Sequence, residues 1–180
     1  MRKQSLLALS GFTRERFDGL ARNENTPFPV PKNEKVTEWA DYTLDHAFEL
    51  RVMGQLMGIS SPDAINGLLA GVARKVVSNA IGKAERRDPW FFAGQASPIF
   101  LGVGEFKDEA ADGTISHRTA WVCQPLEGIS SWMAKETSGD WGGETSTLNR
   151  IVLVNATEAA RHVLKKAVAL GLIEPGRATE

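Results

Sequence analysis

Hydrophobic and polar positions alternate along the first half of the chain with a helical period. Lys3 to Leu9 carries Leu6, Leu7 and Leu9 and reads as a first helix. After a Ser10-Gly11 break, Thr13 is a candidate N-cap for a second helix whose apolar residues Phe17 and Leu20 lie one turn apart. Asn23 to Asn33 holds Pro27, Pro29 and Pro31, which excludes helix and predicts an extended arm or loop; Lys35 to Tyr42 then reads as a short strand. Thr43 offers another N-cap before Leu44, Ala47, Phe48, Leu50, Val52, Met53, Leu56 and Met57, apolar on enough sides to be a central core helix. Past a Gly58-Ile59 joint, Ser61 as cap, Pro62 and Asp63 start a further helix with a stripe of Ile65, Leu68, Leu69, Val72 and Val76.

From Asp88 the pattern changes. "WFFAGQASPIFLGVGEF" and "TISHRTAWVCQPL" are rich in aromatic and β-branched residues around a polar "KDEAADG", which predicts a β-hairpin. "SSWMAKETSGDWGGETSTLN" shows no clear period and reads as loops with at most one helical turn. "RIVLVN" reads as a buried strand, and Ala156 to Leu170 as an amphipathic helix ended by Gly171. "EPGRATE" reads as a frayed tail. Together these elements predict an α+β fold: a helical N-terminal domain over residues 1 to 86, and a smaller α+β domain over 87 to 180 that dimerises or senses a ligand.

Composition narrows the chemistry. The chain has 180 residues, is 42% hydrophobic and carries a net charge of -1, so it is expected to build a core and not to coat nucleic acid by charge alone. No run reaches membrane-spanning length and Leu6 to Leu9 is too short for a secretory signal, which gives an expectation of a cytoplasmic protein. The single cysteine, Cys123, leaves no disulfide framework and no cysteine zinc site. His46, His117 and His162 stand in unrelated contexts, "GVGEF" lacks the lysine and spacing of a phosphate loop, and the acids of "DEAADG" lack a calcium pattern. The expectation is a non-enzyme with no catalytic residue, metal or cofactor. Of the aromatic residues Trp90, Phe91, Phe92, Trp121, Trp132 and Trp141, most read as core, with Trp132 and Trp141 the two expected to be exposed.

Helix, tight turn, helix, proline-bearing loop and two further helices is an order with a known use. In a helix-turn-helix the second helix offers its N-terminal residues to base edges in the major groove. "LLALSGFTRERFDGLA" resembles the corresponding segment of the MerR-like winged helix-turn-helix regulators, with Gly11, Phe12, Thr13, Phe17 and Leu20 in that family's places. "YTLDHAFELRVMGQLMGISSPDAINGLL" is similar to the family's next portion through Tyr42, Thr43, Leu50, Met53, Leu56, Gly58, Ile59 and Ser60, so the resemblance covers about residues 3 to 70. It implies a DNA-binding transcriptional regulator, a repressor or activator of a kind common in phages. Thr13, Arg14 and Arg16 would then read bases, while Lys3, Arg22, Lys32 and Lys35 meet phosphates. Glu38 and Asp41 stand where the family has a wing arginine, and its metal-sensing cysteines are absent. Paired half-sites imply a homodimer, for which Ile65, Leu68, Leu69, Val72 and Val76 are the candidate interface. An excisionase-like architectural factor and a protein-interaction module without DNA binding are the alternatives.

Overall fold

A computed structural model describes residues 1–30, 42–59, 67–81, 88–138 and 145–175. Its elements are α1 (Lys3–Ser10), α2 (Arg14–Arg22), α3 (Leu44–Leu56), α4 (Ala70–Ile81), α5 (Pro89–Ala93), β1 (Ile99–Glu109), β2 (Ile115–Pro125), α6 (Leu126–Thr137), β3 (Thr145–Asn155) and α7 (Ala156–Ala169). The chain is α+β: helices around one three-stranded antiparallel sheet of order β2-β1-β3.

Helix starts are fixed by short polar side chains that satisfy first-turn N–H groups. Thr13 Oγ1 accepts from Arg16 N at 3.4 Å, and Asn155 Oδ1 from Glu158 N at 3.0 Å. At α3 the cap is reciprocal: Thr43 Oγ1 accepts from His46 N, and His46 Nδ1 accepts from Thr43 N, both at 3.3 Å. Gly11, at φ +81°, ends α1 in the left-handed region that glycine enters without a Cβ penalty.

The main core is the meeting of α1, α3 and α7 over one face of the sheet. Leu6, Leu9, Phe48, Leu50, Met53 and Leu56 are fully buried there with Leu101, Val103, Ala160 and Val163. The expected domain boundary near residue 86 falls outside the described residues, and the described residues on its two sides share this one apolar cluster. Pairing puts Leu101 opposite Cys123 and Val154, so residues of odd number in β1 face the helices. The other face holds a smaller cluster of Phe106, Val122, Ile129 and Trp132, covered by α6.

Four sequence expectations change here. Leu126–Thr137 is a twelve-residue helix rather than loop. Its Trp132, expected to be exposed, is buried edge-on against Phe106, with ring centroids 5.9 Å apart. Gly104 makes that possible, because a Cβ there would lie 2.9 Å from Trp132 Cη2 and 2.7 Å from Phe106 Cε2. Trp121, expected in the core, is 40% exposed. The hairpin forms as expected between β1 and β2, but Trp90 and Phe92 precede it in α5 rather than in a strand. The proposed caps at Ser61 to Asp63, the strand over Lys35 to Tyr42 and the C-terminal tail fall wholly or largely outside the described residues, as does Trp141.

Candidate nucleic-acid interface

Residues Gly11 to Thr13 join α1 to α2 in a tight turn. Phe17 and Leu20 turn α2 toward the core, and Phe17 meets Tyr42 edge-to-face with centroids 6.1 Å apart. Burying Phe17 stabilises the attachment by roughly 2–3 kcal/mol. The opposite face of α2 is left to solvent: Arg14, Glu15 and Arg16 are all exposed, and the Arg14 side chain retains 82% of its accessible area.

The charges on α2 are organised by Asp18. Its carboxylate takes a hydrogen bond from Lys3 Nζ across the turn and stands 3.7 Å from Arg14 Nε one turn earlier. Its backbone carbonyl accepts from Arg22 Nε at 3.3 Å. Lys3 also sits 5.1 Å from the centre of the Phe17 ring, so its ammonium is held over an aromatic face while it pairs. Lys3 is therefore a brace between α1 and α2 rather than the free phosphate contact expected from sequence. Asp18 is its counter-ion and a tether for Arg14. Thr13 serves as cap, which occupies its acceptor oxygen at the mouth of the helix.

Arg14 and Arg16 stand in the first turn, where the aligned peptide dipoles place partial positive charge. A cation there costs a few tenths to about 1 kcal/mol relative to an acid. Glu15 in the same turn offsets part of that cost. Two exposed guanidinium groups at the wrong end of the dipole are poorly explained by helix stability, and each carries donors of a kind that suits phosphate and guanine edges.

The remaining candidate residues divide. Lys32, Lys35 and Ile65 lie outside the described residues. Of the expected dimer stripe, Leu68 is 6% exposed and Val76 fully buried in the chain's own core, so neither is available to a second copy; Val72 is partly buried against that core. Leu69 alone is open, at 79%. Leu68 and Leu69 precede α4, and on α4 itself Val72 and Val76 lie toward the core because α4 packs on α3 and on the sheet.

Sequence reading missed the polar cluster on the far face of the sheet. Arg118 of β2 pairs through Nε with Asp108 of β1 at 2.9 Å and through Nη1 with Glu136 of α6 at 2.6 Å, and its guanidinium lies 4.5 Å from the Phe106 ring centre. Ser146 of β3 donates to Asp108. Arg118 thus fastens three strands and α6 together. The cross-strand register that pairs Phe106 with Arg118 and Asp108 with Ser116 and Ser146 was the only signal, and it requires the hairpin alignment to be known.

Among the described residues no cluster of histidine, cysteine, aspartate and glutamate could hold a metal ion, and no helix is long and apolar enough to cross a membrane. No protein-family model matches the chain, and no curated protein or solved structure shows significant similarity to it.

Proposed function

We propose that α1 and α2 form a helix-turn-helix that reads double-stranded DNA through the first turn of α2, making the protein a sequence-specific transcriptional regulator of the winged, MerR-like kind. The observation that carries this reading is the exposure of Arg14 and Arg16 at the N-terminal end of a helix whose other face is anchored by Phe17 and Leu20. Arginine's planar fork suits guanine O6 and N7, and each well-made bidentate contact contributes about 1–3 kcal/mol of discrimination. Arg22, further along α2, is assigned a phosphate contact, and Lys32 and Lys35 are assigned the same role from sequence. Asp18, paired with Lys3, sets the angle at which α2 leaves α1. The order of elements and the resemblance of residues 3 to 70 to that family support the assignment.

A net charge of -1 makes non-specific attraction weak, so affinity rests on a few placed side chains and on doubling the site. A two-fold homodimer on paired half-sites supplies that doubling. Of the stripe expected from sequence, Leu69 is the described residue open to a second copy. Selection of bound fragments from genomic DNA at two salt concentrations tests the reading. The wild type is expected to enrich one sequence motif and Arg14→Ala/Arg16→Ala to lose it; absence of any enriched motif with the wild type overturns it.

A further inference from the structure

The sheet has two unlike edges. Its order β2-β1-β3 leaves β2 and β3 outermost, each eleven residues long. A long outer strand presents a row of outward main-chain N–H and C=O groups, and proteins blunt such an edge with a bulge, a lysine, a proline or a short strand. β3 carries one of these devices. Its pairing with β1 shifts between Glu105, which meets Arg150, and Phe106, which meets Leu148, so Asn149 is an extra residue that bends the strand. β2 has no such protection: its register with β1 runs unbroken over all eleven pairs, it holds no lysine and no acid, and its one proline is its last residue. Among the described residues β2 pairs with β1 alone.

The side chains along this edge are those of a contact surface. Ile115, His117, Thr119 and Trp121 alternate along one face of the sheet, and all four are exposed. Ile115 and Trp121, with Leu126 directly after the strand, are three of the seven large hydrophobic residues exposed among the described ones, gathered along one edge rather than scattered.

Charge selects the occupant. Arg118 carries the only fixed charge of β2, and Asp108 and Glu136 neutralise it within the chain. A two-fold antiparallel pairing of β2 with itself through its middle residue sets Ala120 opposite the partner's Ala120, Thr119 opposite the partner's Trp121 and Arg118 opposite the partner's Val122. No like charges meet, and the two Trp121 rings lie diagonally across the axis, within reach of each other. The same operation about the middle of β3 sets Arg150 against Arg150.

We propose that β2 is the homodimer interface, pairing antiparallel with β2 of a second copy about Ala120 to make one six-stranded sheet. The joined strands run about 36 Å, and main-chain hydrogen bonds supply the attraction while Trp121 fixes the register. As the dimer that serves paired half-sites it rests on the DNA reading above; the pairing itself needs no DNA.

Sedimentation equilibrium of the full chain, without DNA, is the test. The wild type is expected to be a dimer, and Trp121→Lys to raise its dissociation constant at least tenfold with an unchanged circular dichroism spectrum. Leu69→Lys is expected to leave the dimer intact. Ala120→Cys puts two thiols opposite each other at the axis, at a Cα spacing of about 4.5–5.5 Å that a disulfide spans. Mild oxidation is expected to link that variant into a reducible covalent dimer, whereas the wild type, whose Cys123 would face the partner's His117, stays unlinked. A monomeric wild type overturns the proposal, as does an Ala120→Cys chain that fails to link, or a dimer that Leu69→Lys dissociates and Trp121→Lys does not. A dimer behaving as expected that selects no DNA motif upholds the interface and overturns the DNA reading; a monomer that selects one does the reverse.

Discussion

Arg118 and the pair Arg14 and Arg16 are the same residue type put to opposite uses. Arg118 is enclosed between two strands and a helix, with Asp108, Glu136 and the Phe106 ring taking up its guanidinium. Arg14 faces solvent beside a single carboxylate 3.7 Å away, and that carboxylate is shared with Lys3. A guanidinium whose donors are consumed within the chain stabilises the fold. One whose donors are open, on a helix fastened from behind, is available to a ligand. The contrast assigns roles that charge counting cannot, since both regions look alike in composition.

The comparison makes graded predictions. The largest effect on folding is expected from Arg118→Ala, which leaves the Asp108 carboxylate, itself 5% exposed, without its cation. Breaking such a pair lowers stability by about 3 kcal/mol, read as a lower urea midpoint with an unchanged slope. A loss below about 0.5 kcal/mol would show the cluster to be idle. For Arg14→Ala/Arg16→Ala the order reverses. Stability is expected to stay within about 0.5 kcal/mol while affinity for a selected DNA site falls by roughly 2–4 kcal/mol, measured by fluorescence anisotropy. A variant that unfolds instead would move these arginines into the structural class.

Thr13→Ala sits between the two regions in kind. Loss of the cap is expected to lower stability by about 1 kcal/mol and to fray the N-terminal end of α2, seen as faster amide exchange at Arg16. The smallest effect is one of pH. The proton affinity of His46 is lowered by burial, partly restored by Asp45 and lowered again by the N-terminal amine, and that of His162 is lowered by burial and then by Arg51, Lys166 and Lys165. Both rings are more readily protonated in the unfolded chain, so their contribution is complete well above the ordinary value of 6.5. Stability is expected to decline as pH falls through 6.5 and to level off below the folded values. Replacing His46 by Gln should flatten part of that slope in thermal melts between neutral and mildly acidic pH; an unaltered slope would remove His46 from the account.

The helical half was legible because its signals are local. Thr13 and Thr43 declare their helices through a hydroxyl within three residues of the N–H it accepts, and Gly11 supplies the positive φ that ends α1. α6 was not legible. Gly128, Ser130, Ser131 and Thr137 are weak helix formers, and only Ile129 and Trp132 are buried. What holds α6 helical is remote: the pocket that Gly104 opens for Trp132 and the grip of Arg118 on Glu136. The α4 stripe shows the reverse limit. Its period holds on α4 only at Val72 and Val76, since the helix begins at Ala70 and Leu68 and Leu69 precede it, and a period reports an inner face without saying whether the chain or a second copy covers it. For the candidate site, sequence found Arg14 and Arg16 but could not foresee that Asp18 reserves Lys3, since that pairing depends on how the turn aims the two helices.

The contact between Lys166 and the Ala8 carbonyl joins residues 158 positions apart. Because α7 lies against α1, α3, α5 and β1, the N-terminal helices leave the ribosome long before the surface that buries them is made. Leu6, Leu9 and Phe48 belong to a cluster that also contains Ala156, Ala160 and Val163 of α7, so that cluster is complete only once α7 has been synthesised. A protein built this way completes the support of α1 and α3 only when α7 has been translated. A chain interrupted before α7 would present an open apolar surface to chaperones and proteases.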